Sequence, residues 1–513
     1  MTENLFDLFQ SRFPADRSRP FIETDRGRAY SYADLEDISG RYARLMADLG
    51  VKPGHRVAVQ VEKSPEAVFL YLACMRLGAI LLPLNTAYQD DEVEFFLSDA
   101  EPSCVVGRPA KETGLRVLAD KLGVPTVLTL ADDGQGGTLV TRSQGLDPAF
   151  PTSARGGNDT AAILYSSGTT GRPKGAMMSH TNLGSNALTL HKIWGWRADD
   201  VLLHALPIFH THGLFVAINC VLLNGSAMLF LPKFDADTVV RLLPRATVFM
   251  GVPTFYTRLL SMPSFTKDAC RTVRLFISGS APLLAETHRA FAERTGHAIL
   301  ERYGMTETGM LTSNPLDGDR IAGTVGFPLP DVEVRVAAED GQILRQGEIG
   351  VIEVRGPNVF SGYWKLPEKN KTEFRADGFF ITGDIGMVDE RGYVHIVGRA
   401  KDMIISGGYN VYPKEIEDQI DRIDGVLESA VVGMPHPDFG EAGLAVIVRK
   451  PGFDATPTAD QVVQVLRGKL ANYKVPKQIV FVPVLPRNTM GKVQKNVLRA
   501  DFSDAWATNF RKA

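Results

Sequence analysis

The stretch Tyr165-Ser-Ser-Gly-Thr-Thr-Gly-Arg-Pro-Lys-Gly-Ala-Met-Met-Ser-His180 decides how this chain is organised. The apolar run Ala161-Ala-Ile-Leu-Tyr165 predicts a buried strand. It ends in Ser166-Ser-Gly-Thr-Thr-Gly171, where glycines allow a close backbone approach and N–H groups and hydroxyls can surround phosphate oxygens. Lys174 adds a positive charge at the rim, and a second strand-like segment follows. The pattern predicts a phosphate-binding turn between two strands, with a plain flexible loop as the alternative.

This turn is not a Walker P-loop, because the chain contains no G-x-x-x-x-G-K-[ST] sequence. It resembles the phosphate loop [ST]-S-G-T-T-G-x-P-K-G of the adenylate-forming superfamily, which contains acyl- and aryl-CoA synthetases, luciferases and the adenylation domains of peptide synthetases. The resemblance implies that ATP is bound by Ser166, Ser167, Gly168, Thr169, Thr170, Gly171 and Lys174. It also implies a catalytic role for Lys174.

The composition is that of an ordinary globular protein with room for several cores. The 513 residues are 44% hydrophobic and 22% charged, and the net charge of −3 gives no reason to expect nucleic acid or an anionic membrane as a partner. The four scattered cysteines form no C-x-x-C pair and predict reduced core residues. The acidic amino terminus is unlike a secretory signal, and the most apolar tract, 214–231, is too interrupted to span a membrane. We expect a cytoplasmic protein of undefined oligomeric state.

Alternating helical and strand patterns predict an α/β fold. Segments 32–49 and 67–77 have apolar residues at helical spacing, and segments 56–60 and 78–83 are strand-like, as in an open sheet with helices on its faces. Residues 330–400 are rich in strands and turns and predict a small barrel-like or hairpin unit. We expect a large N-terminal domain of helix-covered sheets with this β unit, residues 1–400. A small α+β C-terminal domain, residues 401–513, is expected to follow on a hinge.

Three histidines in Leu202–Gly213 raise the question of a metal site. Zinc needs three or four converging ligands, and no cysteine or acid accompanies these histidines. His210 and His212 alternate, so an extended chain would place both on one face. In the superfamily a P-x-x-H-x-x-G segment lines the acyl pocket, which implies a substrate-binding and catalytic role for His212. A structural histidine is the alternative.

A predicted helix that begins at Pro253 carries an arginine within an apolar stripe. Phe255, Arg258, Leu259 and Met262 fall at positions i, i+3, i+4 and i+7. Arg258 therefore either faces a substrate pocket or extends along the helix edge to solvent.

Further motifs resemble the nucleotide-binding motifs of the superfamily. The segment Glu301-Arg-Tyr-Gly-Met-Thr-Glu-Thr308 matches Y-G-x-T-E, which implies that Tyr303 stacks on adenine, Thr306 contacts phosphate and Glu307 holds Mg²⁺. A carboxylate suits Mg²⁺, which prefers oxygen ligands and is usually held by one or two carboxylates plus substrate phosphates. By resemblance the backbone of Gly279, Ser280, Ala281 and Pro282 packs on adenine, Asp384 binds the ribose, and Arg399 lies near the same ligand.

The C-terminal region carries the remaining motifs. Lys492, within Pro486-Arg-Asn-Thr-Met-Gly-Lys-Val-Gln-Lys495, resembles the catalytic lysine of the superfamily; a surface-loop lysine is the alternative. The same resemblance makes Lys401 the hinge about which the C-terminal domain rotates between two half-reactions. Gly407 and Gly408 have no side chains that would obstruct the pantetheine arm of CoA.

Within the superfamily the motifs look most like those of malonyl-CoA synthetases. The implied reaction forms malonyl-AMP and pyrophosphate from malonate and MgATP, after which the thiol of CoA displaces AMP. Arg258, with Arg302 as second candidate, is expected to bind the distal carboxylate, because a planar guanidinium can grip a carboxylate with two hydrogen bonds. Methylmalonate keeps both carboxylates and is expected to be accepted if the pocket has room.

Three alternatives stay open at this point. The chain is a synthetase for another short carboxylic acid, an adenylation enzyme that serves a carrier protein, or an inactive nucleotide- or acyl-binding protein. The last is disfavoured because Lys174, Glu307, Asp384 and Lys492 are all present.

Overall fold

The computed structural model describes residues 3–166, 173–406, 409–436, 439–488 and 491–503. Within these ranges the strands form four sheets. Two large sheets are covered by helices, a third sheet is small and antiparallel, and the fourth belongs to a separate C-terminal domain. The predicted α/β class is therefore confirmed.

The first sheet holds both ends of the Ser/Gly/Thr loop. In sheet order its six strands are Thr126–Thr129, Cys104–Gly107, Arg56–Val59, Ile80–Pro83, Thr160–Ser166 and Lys174–Ser179. Neighbours run parallel except the last two, which are antiparallel. The strands predicted on either side of the loop are thereby confirmed.

The second sheet brings several loop segments to one edge. In sheet order its nine strands are Phe327–Pro328, Gly309–Ser313, Leu300–Met305, Leu275–Ser278, Val248–Gly251, Val201–His204, Ala227–Phe230, Pro20–Thr24 and Ala29–Ser31. The six strands from Leu300–Met305 to Pro20–Thr24 run parallel. Because ligands bind at the carboxyl ends of parallel strands, the segments after His204, Gly251 and Ser278 are placed where a site is expected.

Helices pack on the two large sheets, except Pro367–Glu373, which contacts the strand Phe380–Val388 of the third sheet. They are Leu5–Gln10, Tyr32–Asp48, Pro65–Leu77, Asp90–Ala100, Glu112–Leu122, Thr138–Ser143, His180–Ile193, Asn219–Asn224, Ala236–Leu242, Pro253–Leu260, Ala285–Thr295 and Pro367–Glu373, with a π-helix at His212–Ile218. Short 3₁₀ turns are Pro109–Lys111, Leu243–Arg245, Ala400–Asp402 and Asn472–Lys474. Every residue of Pro65–Leu77 is buried. Ser64 caps its start and Gly78, at φ +72°, ends it, as left-handed glycines commonly do.

The β-rich unit predicted at 330–400 is an antiparallel sheet. Its strands, Glu333–Ala337, Gly350–Arg355, Phe380–Val388 and Val394–Arg399, pair in sequence order. Among the described residues its first and last strands do not pair, so the unit is an open meander rather than a closed barrel.

The C-terminal domain has its own sheet and cores. Its strands are Tyr409–Val411, Ile404–Ser406, Gly440–Arg449, Val426–His436 and Gln478–Phe481, and its helices are Pro413–Ile420, Ala459–Arg467 and Lys495–Asp501. Ile416, Ile447 and Leu466 belong to one buried cluster, and Val446 and Leu498 to another. These clusters contain residues of this domain alone, as expected for an independent unit.

All four cysteines are buried and none forms a disulfide. In the described part of the chain, no helix is both long enough and apolar enough to cross a membrane.

Candidate active site

The Ser/Gly/Thr loop starts and ends at residues that face each other across an antiparallel pair. Ser166 is the register partner of Lys174, so the loop leaves and re-enters the sheet at one place. The predicted phosphate contacts Ser167, Gly168, Thr169, Thr170 and Gly171 lie outside the described residues.

A buried carboxylate lies beside this loop. Glu307 Oε1 accepts hydrogen bonds from Ser166 Oγ at 3.3 Å and from the Tyr363 hydroxyl at 2.9 Å. Lys174 Nζ is 4.6 Å from the centre of the Tyr363 ring, and partial burial lowers the pKa of this lysine. The described residues contain no cluster of three metal-binding side chains. A single carboxylate next to the predicted phosphate-binding loop fits Mg²⁺, which takes its other ligands from phosphates and water.

An acid, a tyrosine and an arginine form a second group. Asp384 and Arg399 are register partners on neighbouring strands, and Arg399 Nε is 2.6 Å from Asp384 Oδ1. The Tyr303 hydroxyl donates to Asp384 Oδ2 at 2.5 Å. The negative charge of Asp384 raises the pKa of Arg399. The Asp384 carboxylate is thus fixed from two sides at the predicted ribose position.

A buried arginine, Arg302, lies within the strand Leu300–Met305. Arg302 is 2% exposed, and its Nε and Nη2 atoms have no hydrogen-bond partner among the described residues. Burial lowers the pKa of Arg302 to about 9, so the guanidinium remains protonated at neutral pH. A Cβ atom on Gly279 would lie 2.5 Å from Arg302 Cζ, so only glycine leaves room for this side chain.

His212 lies close enough to Arg302 to be affected by its charge. Its Nδ1 is 3.1 Å from Ser280 Oγ, and its buried Nε2 has no partner among the described residues. Burial, and then repulsion by Arg302, hold the pKa of His212 well below its usual range, so the ring is neutral. Ser280 adopts φ +73°, a left-handed conformation that is uncommon for a residue with a side chain. Such strain is typical of functional sites.

His210 and His212 would share a face only in an extended chain, and the structure is not extended there. After Val201–His204 the chain turns, and His212 begins a π-helix. Gly213 packs against the Pro207 carbonyl, where a Cβ atom would be 2.0 Å from the oxygen.

Arg258 does not lie in the apolar stripe that the sequence predicts. The helix Pro253–Leu260 buries Tyr256 and Leu259, whereas Arg258 is exposed. Its guanidinium makes no hydrogen bond or ion pair within the described ranges. Arg302 therefore has the stronger geometric claim to a buried carboxylate.

Lys492 approaches these groups from the C-terminal domain. Its charge interacts with Asp384 and Glu307, and desolvation followed by repulsion from Arg399 lowers its pKa, although solvent still reaches the side chain. Burial, and then the charge of Lys492, lower the pKa of His210 to about 4. The C-terminal domain thus places its lysine over the acid groups of the N-terminal domain.

The remaining predicted residues differ in how the structure places them. Thr306 lines a small cavity together with His210 and Tyr165. Ala281 is half-buried and Pro282 exposed in the segment after the strand Leu275–Ser278. Lys401 is exposed in the 3₁₀ turn Ala400–Asp402. Gly407 and Gly408 lie outside the described residues.

Sequence reasoning missed Tyr363 and undervalued His210. Tyr363 comes from a loop with no motif, and nothing in the sequence signals its bond to Glu307, 56 residues away. The two histidines at 210 and 212 indicated a functional segment, but their spacing was interpreted for an extended chain, whereas a π-helix begins at His212.

The fold and the site together define an adenylate-forming enzyme: a loop for phosphate, an acid cluster and a lysine on a second domain. The chain belongs to the AMP-binding enzyme family, whose model matches residues 9–364, and the AMP-binding enzyme C-terminal domain matches residues 415–492. The chain is similar to ATP-bound MatB from Rhodopseudomonas palustris, with 57% identity, a TM-score of 0.96 and coverage of 99% of this chain and 100% of that one.

A further solved structure and a further protein are similar to this chain over nearly its whole length. Apo MatB from the same organism covers the same shares of both chains with a lower TM-score of 0.86. The chain is also 34% identical to a malonate–CoA ligase of Arabidopsis thaliana over 97% of this chain and 89% of that protein.

Proposed function

We propose that the chain ligates malonate to CoA with ATP, through malonyl-AMP, and releases AMP and pyrophosphate. The membership of the AMP-binding family and the likeness to MatB and to a malonate–CoA ligase support this reaction. The observation that carries the choice of substrate is the buried Arg302 guanidinium, whose Nε and Nη2 have no hydrogen-bond partner among the residues that the structure describes. A dicarboxylate would supply that partner, whereas a monocarboxylate would leave the charge desolvated and unpaired.

In the first half-reaction a malonate carboxylate attacks the α-phosphate of ATP. Phosphoryl transfer depends mostly on positioning and on stabilising charge on oxygen. Lys492 would stabilise the charge that develops between the carboxylate and the α-phosphate, and Lys174 the pyrophosphate. Tyr303 would stack on the adenine, and Asp384 would bind the ribose hydroxyls.

Mg²⁺ would be held by Glu307 and would neutralise phosphate charge when bound. The Ser166 and Tyr363 hydroxyls fix the orientation of this carboxylate.

The distal carboxylate would be held by Arg302 and His212. With the ring hydrogen on Nε2, His212 accepts from Ser280 at Nδ1 and presents a donor to the substrate. Arg258 remains a second candidate at the outer rim.

In the second half-reaction the C-terminal domain would rotate about Lys401, and the thiol of CoA would attack the adenylate. Gly407 and Gly408 would then pass the pantetheine arm. The proposal includes ATP, CoA and malonate as small-molecule ligands. It also includes a cytoplasmic location and no nucleic-acid partner.

The test is pyrophosphate release with malonate, methylmalonate and butyrate, with and without CoA. Wild type is expected to prefer the two dicarboxylates. Arg302→Met should lower kcat/KM for malonate about 30- to several-thousand-fold, because it removes one member of a buried charge pair. Butyrate activity should hold or rise. Arg258→Met is the exposed control and should have a smaller effect. An unchanged malonate-to-butyrate ratio in Arg302→Met would contradict the proposal.

A further inference from the structure

The helix Pro367–Glu373 turns one face toward the phosphate end of the candidate site. Glu373 follows Lys369 and Asn370 by four and three positions, so the three side chains share a face. They are half-buried, whereas the other residues of the helix are exposed. Asn370 Oδ1 accepts from the Tyr363 N–H at 2.7 Å, and Asn370 Nδ2 donates to the Tyr363 carbonyl at 3.2 Å. The helix is thereby attached to the tyrosine whose hydroxyl holds the candidate Mg²⁺ ligand.

Two lysines meet beside this tyrosine. Lys174, the register partner of Ser166 at the predicted phosphate loop, has its Nζ 4.6 Å from the centre of the Tyr363 ring. Lys369 Nζ is 2.5 Å from Glu373 Oε1. Burial lowers the pKa of Lys174, the charge of Glu373 opposes this shift, and the charge of Lys369 adds to it. The three side chains therefore form one cluster with two positive charges and one negative charge.

A second lysine beside Lys174 suits a ligand with more negative charge than a single phosphate. In phosphoryl transfer the protein stabilises charge on phosphate oxygens, and here the β- and γ-phosphates leave together as pyrophosphate. Two neighbouring ammonium groups destabilise each other's charged forms, and an anion between them removes this effect. Lysine is a common phosphate ligand, and its flexible four-carbon stem allows the Lys369 ammonium to turn from Glu373 to a phosphate.

We propose that Lys369 binds the β- and γ-phosphates of ATP together with Lys174, and that Glu373 pairs with Lys369 when these phosphates are absent. The helix face that carries Lys369 is fixed next to Lys174 by the bonds between Asn370 and Tyr363. None of the sequence motifs described above includes Lys369. The inference rests on the use of ATP in the proposed function, but it does not depend on malonate as the acid.

The test is calorimetric titration of the full-length chain with MgATP and with AMP, without any acid substrate. Lys369→Met should weaken MgATP binding about tenfold or more, because a hydrogen bond between charged groups is lost. It should leave the binding of AMP, which lacks the β- and γ-phosphates, unchanged. Lys369→Arg keeps the charge and should keep most of the affinity for MgATP.

Two further variants make the test specific. The matched control is Lys371→Met, which removes an exposed lysine of the same helix whose partner is Glu368 at 2.8 Å. This control should bind both nucleotides as the wild type does. In Lys369→Met/Glu373→Gln the acid left without its lysine is also removed, and MgATP should still bind weakly.

Thermal unfolding checks that each variant is folded, which is expected because a half-exposed ion pair contributes little to stability. An unchanged affinity for MgATP in Lys369→Met, or an equal loss for MgATP and AMP, would overturn the proposal. So would an equal loss in Lys371→Met. Wild-type affinity in the double variant would show that Lys369 only neutralises Glu373. Failure of the proposed function would appear differently, as the absence of malonate-dependent pyrophosphate release by the wild type.

Discussion

Gly279 lies so close to Arg302 that its missing side chain defines the candidate carboxylate pocket. A methyl group there would be 2.5 Å from the guanidinium carbon, so the guanidinium would have to move. We expect Gly279→Ala to lower kcat/KM for malonate about 10²-fold, since a displacement of about 1 Å in a binding group can cost that much. Steady-state kinetics with malonate check this prediction.

The matched control is Gly114→Ala in the helix Glu112–Leu122, where nothing lies within 4 Å of the added carbon. This variant should keep wild-type kinetics. If Gly279→Ala kept them as well, Arg302 would not be a substrate ligand.

Glu301, next to Arg302, is a buried carboxyl group whose ionisation makes the stability of the protein depend on pH. Its Oε1 accepts from the Leu283 N–H at 3.2 Å, its Oε2 has no partner in the described part of the chain, and burial raises its pKa to about 8. An unfolded glutamate titrates near 4.3. The folded state therefore binds this proton more tightly, and the stability it contributes is full below about pH 4.3 and is lost as the pH rises to about 8.

We therefore predict that Glu301→Gln, which keeps the bond to Leu283 and cannot ionise, stabilises the protein more as the pH rises. The gain should grow by up to about 1.4 kcal/mol per pH unit between pH 5 and 8. Thermal unfolding of both proteins across this range checks it. A difference in Tm that stays constant with pH would show that Glu301 does not titrate in this window.

At the scale of elements, the strands and helices that periodicity and local motifs indicate could be predicted from the sequence. The strands around the Ser/Gly/Thr loop and the helix after Pro253 are found where expected. The face that this helix buries was predicted wrongly, because the spacing of Phe255 and Leu259 fits a stripe that includes Arg258, whereas the structure buries Tyr256 and Leu259. The contact between Tyr363 and Glu307 depends on tertiary packing and leaves no local pattern.

Hydrogen bonds and an ion pair stabilise the loop that carries Lys492. Arg487 Nη1 donates to the Gly491 carbonyl at 2.5 Å, and Arg487 also forms an ion pair with Glu428. Lys492 N–H donates to Asn488 Oδ1 at 3.0 Å. These contacts hold the backbone on both sides of residues 489–490.

We predict that Arg487→Met slows pyrophosphate formation about tenfold, because Lys492 is then less well positioned. Lys492→Ala, which removes the charge itself, should cost about 10²–10³-fold. Both variants should still convert supplied malonyl-AMP and CoA to product. Arg467→Met, an exposed arginine of the same domain, is the control. Equal losses in both half-reactions would indicate damage to the whole domain.

At the scale of the whole molecule, an ion pair at the surface joins the C-terminal domain to the N-terminal domain. Lys450 Nζ is 3.0 Å from Glu286 Oε1, a pair that is largely exposed and thus weak. Next to the proposed hinge, Asp402 pairs with Arg499 at 2.7 Å within the C-terminal domain itself, so this pair does not oppose movement of the domain. A weak ion pair and a short connecting turn are compatible with the proposed rotation of the C-terminal domain after adenylation.

A disulfide between residues 254 and 491, which would link the two domains, tests whether the C-terminal domain must move during the reaction. A Cβ atom on Gly491 would lie 3.7 Å from Thr254 Cβ, which is close to the mean of about 3.8 Å in disulfides. We predict that oxidised Thr254→Cys/Gly491→Cys forms pyrophosphate from malonate and ATP but no malonyl-CoA, and that reduction restores thioester formation. Gly491 has φ +73°, so reduced Gly491→Cys alone sets the reference rate. If the fully cross-linked enzyme made malonyl-CoA at that reference rate, rotation about the hinge would not be part of the reaction.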